Sequence, residues 1–164
     1  MKVSGTFTLD APRGDVFRAI CDPTTLLAVI PGCESIEQVG PDEYRGRITL
    51  RLPGVAGSYR TSVRLVDAVP PDRAGLEGRV DGALGSIDGR ADFGLTGDSS
   101  VTVLDYRGQA VIQGPLSGLD SRFAESLAES LIAQGLRTLD CRLAAGRSRL
   151  AAAEGRRPRT EASE

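Results

Sequence analysis

Residues 2–9, KVSGTFTL, put Val3, Gly5, Phe7 and Leu9 on one side and polar residues on the other, the period-two pattern of a half-buried strand. Asp10-Ala11-Pro12 then opens a helix, since an early proline gives up an N–H that would lack a partner anyway, and Val16, Phe17 and Ile20 form its apolar face. Asp22-Pro23 restarts the chain into a second short helix carrying Leu26, Leu27 and Ile30; Pro31 ends it and Gly32 supplies the turn. From Cys33 to Gly114 the period is two again, which predicts strands near 33–39, 43–52, 57–68, 74–84, 87–96 and 100–113. Turns fall at Gly40-Pro41-Asp42, Pro53-Gly54, Pro70-Pro71-Asp72, Gly85-Ser86 and Gly97-Asp98, links short enough for an antiparallel meander. After Gly114-Pro115, Leu116, Leu119, Phe123, Leu127, Leu131 and Ile132 recur at three and four, the mark of a long amphipathic helix reaching at least Leu143, with Gly135 a local weak point. The chain therefore reads as one domain over 1–145 and an arginine-containing polar tail over 146–164, expected to be disordered for want of apolar bulk.

If the meander wraps the long helix, one alternating set of each strand faces it. That parity selects Gly5, Gly46, Gly78, Gly82, Gly89 and Gly108 alongside the apolar residues. Glycines there either leave a hollow between sheet and helix or let the sheet bend, and a sharply curved sheet does both. The predicted lining of the hollow is Phe17, Leu27, Ile30, Tyr44, Ile48, Leu50, Tyr59, Thr61, Val63, Val80, Phe93, Tyr106, Ala110, Phe123, Leu127 and Leu131, with Pro31 and Gly32 as a gate. Such a lining suits an apolar ligand with one or two hydrogen-bonding groups.

Composition mainly excludes. The 164 residues contain no histidine, which removes Ser-His-Asp and Cys-His catalysis and most catalytic zinc and non-haem iron sites. Nothing calls for a metal or a cofactor. Three scattered cysteines, Cys21, Cys33 and Cys141, suggest neither a disulfide framework nor a zinc knuckle, and the Cys33-Glu34 pair has no neighbouring base to activate it. A net charge of −2 gives no electrostatic reason to seek nucleic acid. The chain lacks a secretory signal pattern and an apolar run of membrane-spanning length, which favours the cytoplasm. Arg137, Arg142, Arg147, Arg149, Arg156, Arg157 and Arg159 make the C-terminal end basic, fit either to meet an anionic membrane surface or to complement the helix dipole.

The segments GTFTLDAPRGDVFRAICDP, IPGCESIEQVGPDEYRG, VRLVDAVPP and GQAVIQGPLSGLDSR resemble the carbon monoxide dehydrogenase CoxG family of the SRPBCC/START-like superfamily. The resemblance implies an α+β helix-grip fold: a curved seven-stranded antiparallel sheet around a long C-terminal helix, with two short helices after strand 1. It also implies a non-catalytic accessory protein of a carbon monoxide dehydrogenase-type molybdenum hydroxylase that helps bring the enzyme to the inner face of the cytoplasmic membrane. Members often carry an apolar C-terminal anchor, where this chain has a polar tail, so its membrane contact would be peripheral. An aliphatic pocket beside a membrane-associated oxidase points to a lipid or a quinone as ligand.

Two rivals stand beside this reading. A polyketide cyclase-like or other SRPBCC enzyme would use the same hollow, but its general acid or base would have to come from the tyrosines, since Arg60, Glu77 and Asp92 fall on the outward parity. A docking face for an acidic enzyme subunit is offered by Arg45, Arg47, Arg51, Arg60 and Arg64, which equally suit a solvated sheet surface.

Overall fold

The computed structural model describes residues 1–155. β1 (Lys2–Leu9) is followed by α1 (Arg13–Ile20) and α2 (Pro23–Val29). The meander comprises β2 (Cys33–Gly40), β3 (Glu43–Leu50), β4 (Gly57–Val69), β5 (Arg73–Gly82), β6 (Gly85–Gly97) and β7 (Thr102–Gln113). A 3-10 turn, Pro115–Gly118, leads into α3, Ser121–Gly155. All seven strands form one antiparallel sheet in the order β1-β7-β6-β5-β4-β3-β2. This is the helix-grip arrangement that the alternation and the resemblance predict.

Local chemistry sets the helix starts. Pro12, in an extended conformation, precedes α1, and the Asp22 carboxylate accepts the Thr24 N–H at the start of α2, where Pro23 takes the first helical position. Together α1 and α2 carry the chain from β1 at one edge of the sheet to β2 at the other. The meander then returns strand by strand until β7 pairs with β1, Lys2 opposite Gln109 and Leu9 opposite Thr102.

Three expectations need adjustment. The turn between β5 and β6 lies at Ala83-Leu84, not at Gly85-Ser86: Gly85 already pairs with Gly82, and Ser86 is a buried strand residue. Gly135 does not break α3. A Cβ there would stand 3.2 Å from the Val29 carbonyl oxygen, so the residue serves close packing against α2. The helix also continues past the expected boundary at 145/146 as far as Gly155, because an alanine-rich stretch favours helix even without apolar bulk. Arg147, assigned to the tail, donates to the Asp10 carbonyl at 2.6 Å, and Asp140 accepts the Asp10 N–H at 2.9 Å. Two α3 side chains thus clasp the β1–α1 turn. The remainder of the tail, including Arg156, Arg157 and Arg159, lies outside the described residues.

The core is split in two. One cluster joins Leu9, Ala11, Val16, Phe17, Val29, Ala74, Phe93, Leu95, Leu104 and Leu139; the other is built on Val55, Tyr59 and Leu116. At the first, Thr102 is fully buried and its hydroxyl donates to the Ala11 carbonyl at 2.6 Å, tying β7 to the start of α1. Thr102→Val keeps the shape and strands that carbonyl without its partner. Stability should fall by about 1–3 kcal/mol, read from the denaturation midpoint at unchanged m-value.

Candidate functional site

Between the two clusters the sheet and α3 stand apart. Cross-strand register aligns Tyr44, Val63, Gly78, Gly89 and Ala110 in one row over the concave face, and Gly78 and Gly89 are its middle members. A Cβ added at either glycine would meet only atoms of the sheet, with nothing from α3 within 4 Å. Neither glycine has a side chain to place in the centre, and α3 does not come within reach of that row. The result is a cavity of about 580 Å³, within the ~300–1,000 Å³ range typical of small-molecule sites.

Its wall is almost wholly aliphatic and aromatic. From the expected lining the structure brings together Ile30, Pro31, Tyr44, Ile48, Leu50, Tyr59, Val63, Val80, Phe93, Tyr106, Leu127 and Leu131. Phe17, Leu27, Thr61, Ala110 and Phe123 are not wall residues. Phe17 is buried in the first cluster, its ring centroid 6.0 Å from that of Phe93. Leu27 is 42% exposed because Leu26, Val29 and Ile30 form the inward stripe of α2, leaving Leu27 on its flank. On α3 the inward stripe begins at Ala124, so Phe123 turns out and is 48% exposed. Thr61 and Ala110 have the concave parity but do not line the cavity. Sequence reasoning passed over Val29, Val55, Ala124, Ala128, Ile132 and Leu136 on that wall. The three-and-four stripe of α3 did contain a signal for the alanines, hidden by weighting bulk over position.

Gly32 is not a wall residue either; it holds the wall residue Pro31 in place. With φ +76° it sits in the left-handed region, and a Cβ would collide with the Thr49 carbonyl oxygen. Its own carbonyl accepts the Thr49 N–H, which joins the α2–β2 turn to β3.

The two thiols and three phenols at or beside the cavity are pushed toward their protonated forms. Burial raises the Cys21 thiol, with help from Asp42, and burial likewise raises Cys33, whose Sγ donates to the Ser35 carbonyl. Burial raises Tyr44, with Cys21, Asp42 and Asp22 adding to it; burial alone raises Tyr59; and burial followed by Glu129 raises Tyr106. Asp92 touches the wall between Ala91 and Phe93, but its carboxylate lies over Gly75 on the opposite, exposed face. Apart from that outward-turned Asp92, the wall carries no carboxylate side chain, and it has no histidine to act as a base.

A broader trough of about 740 Å³ runs along the convex face between charged cross-strand rows. It is open, and Arg79 and Arg90 are paired there with Asp88 at 2.7 Å and Glu77 at 3.5 Å, so it is a solvated surface and not a container. On the same face Arg47 stands directly opposite Arg60, and Arg45, Arg47, Arg51, Arg60 and Arg64 make no ion pair among the described residues.

A family model for the CoxG subunit of carbon monoxide dehydrogenase matches residues 5–144. The chain belongs to the CoxG family. Every cavity-wall residue except Met1 falls inside that span. No curated protein matches the sequence. Among solved structures, this CoxG-family chain is similar to a conserved protein from Geobacillus kaustophilus, with 24% identity, TM-score 0.84 and coverage of 88% of this chain and 95% of the other. It is also similar to a START superfamily protein from Mycobacterium smegmatis, with 11% identity, TM-score 0.69 and coverage of 87% and 96%. The di-domain ARO/CYC StfQ from the steffimycin biosynthetic pathway aligns at 15% identity and TM-score 0.66, over 90% of this chain and 52% of that one. At these identities the likeness establishes the START-like fold. No helix among the described residues is long and apolar enough to cross a membrane.

Gly32→Ala combines a disfavoured backbone conformation with a collision against β3. It should cost at least about 2 kcal/mol and lower Tm by roughly 5 °C or more in a thermal melt.

Proposed function

We propose that this CoxG-family protein is a non-catalytic accessory of a carbon monoxide dehydrogenase-type molybdenum hydroxylase that carries an apolar lipid or quinone in its cavity. The observation that supports the reading is the cavity of about 580 Å³ whose tyrosines burial pushes further toward the neutral form and whose surface is otherwise almost wholly apolar. Such a space favours an apolar ligand through the area it removes from water and offers no group to begin acid–base chemistry. The cyclase alternative rests on likeness of fold alone, which carries no activity with it.

The basic residues fit the remainder of the role. Arg137, Arg142 and Arg149 are exposed on the C-terminal half of α3, where basic residues meet anionic headgroups at about 1 kcal/mol each. They are the peripheral membrane contact in this proposal. The facing Arg47 and Arg60, with Arg45 and Arg64, are its contact for an acidic enzyme subunit, since like charges directly across two strands weaken the sheet unless something neutralises them.

Two experiments test this. Protein purified from its native host and extracted with organic solvent should release a lipid or isoprenoid; recovery of none, with no Tm shift on adding a quinone, defeats the carrier reading. A pull-down of the host's molybdenum hydroxylase should lose at least most of its yield in the Arg47→Glu/Arg64→Glu variant, and undiminished yield removes the convex face from the proposal.

A further inference from the structure

The wall carries six side chains with polar atoms: Cys21, Thr25, Tyr44, Tyr59, Asp92 and Tyr106. The strong donors among them are nearly all spent on the protein. The Thr25 hydroxyl donates to the Asp22 carboxylate at 2.9 Å, Tyr44 donates to the Cys21 carbonyl at 2.7 Å, and Tyr59 donates to the Val55 carbonyl at 2.6 Å. The terminal ammonium of Met1 donates to the Ala110 carbonyl at 3.0 Å. Asp92 faces the other side of the sheet. A cysteine thiol is a weak donor.

Tyr106 alone differs. Its hydroxyl has no hydrogen-bond partner among the described residues, yet no buried side-chain oxygen there lacks a partner. The Tyr106 oxygen is therefore reachable from outside the protein's own packing. Its position depends on β1: Gly5 lies directly across from Tyr106 in the sheet, and a Cβ on Gly5 would stand 2.7 Å from the hydroxyl oxygen. An alanine at that place would drive the ring away. A phenol in an apolar wall keeps its proton, and so remains a donor, over the whole physiological range; burial and the neighbouring Glu129 reinforce this.

We infer that the Tyr106 hydroxyl is the anchoring point of the cavity, donating its hydrogen bond to a neutral carbonyl-type oxygen at the head of an otherwise apolar ligand. The inference deepens the carrier reading and rests on it. It also sets a selectivity. A hydrocarbon leaves the donor unpaired, and a carboxylate at Tyr106 is repelled by Glu129, while the Met1 ammonium, the cation among the described wall residues, lies farther along the β1–β7 pair and bonds the Ala110 carbonyl. A ketone or quinone carbonyl meets both conditions.

Three probes of one chain length separate these cases: 2-undecanone, undecane and undecanoate, their dissociation constants measured by titration calorimetry on the full chain. The wild type should bind the ketone about threefold to tenfold more tightly than the alkane, the range of one net hydrogen bond, and undecanoate most weakly. Tyr106→Phe should erase the ketone's advantage while leaving alkane binding in place. Tyr44→Phe and Tyr59→Phe should preserve the ketone-to-alkane ratio, and Glu129→Gln should strengthen undecanoate more than either neutral probe. Equal binding of ketone and alkane by the wild type, or a ratio that survives in Tyr106→Phe, overturns the anchor and leaves the carrier reading standing. Failure of the wild type to bind any of the three overturns both.

Discussion

The structure depends on a separation. Two apolar clusters, one around Phe17, Phe93, Leu95, Leu104 and Leu139 and the other around Val55, Tyr59 and Leu116, join α3 to the sheet at different places, and both contribute residues to the cavity wall. Close packing normally closes such a space, because every unmatched surface forfeits dispersion contacts. Here Gly78 and Gly89 remove bulk from the middle of the sheet, while the Asp140 and Arg147 contacts to Asp10 tether α3 to the β1–α1 turn. The cavity is thus a product of rigid supports at its margins.

The same arrangement explains why the site is chemically quiet. A wall this apolar holds tyrosines and thiols in their neutral forms, and the hydroxyls that face it are mostly bonded to backbone carbonyls that the turn after Ile20 and the β3–β4 loop leave open. Polar atoms are satisfied within the protein, so specificity cannot come from a dense hydrogen-bonding network. It must come from shape and from whichever few groups remain free.

Much of the fold was legible because period two and period 3.6 are strong signals in this chain: strand parity on β3, β4 and β7 correctly selected Tyr44, Ile48, Tyr59, Val63 and Tyr106 for the concave side. Parity has no reach beyond direction, however. Thr61 and Ala110 have the right parity and still lie off the wall. On the helices the rotation about the axis decides, and a seven-residue helix such as α2 is too short for its phase to be read from leucines alone, which is why Leu27 stood in for Val29. The spent hydroxyls were invisible for another reason. Tyr44 and Tyr59 find their acceptors at Cys21 and Val55 through the folded turn geometry, which no local pattern records.

The pairing of β1 with β7 also bears on how the chain reaches this state. Lys2 must find Gln109, and Met1 and Ala110 exchange backbone hydrogen bonds, so the first strand made is among the last to acquire a neighbour. Contacts of that sequence separation are slow to form because the entropy of closing the loop comes before any reward. During synthesis the apolar side of β1 waits exposed while more than a hundred residues emerge, and the six-strand meander is complete before its edge is covered. The container therefore assembles from its wall inward: until β1 and the C-terminal half of α3 dock, there is a curved sheet with nothing over it.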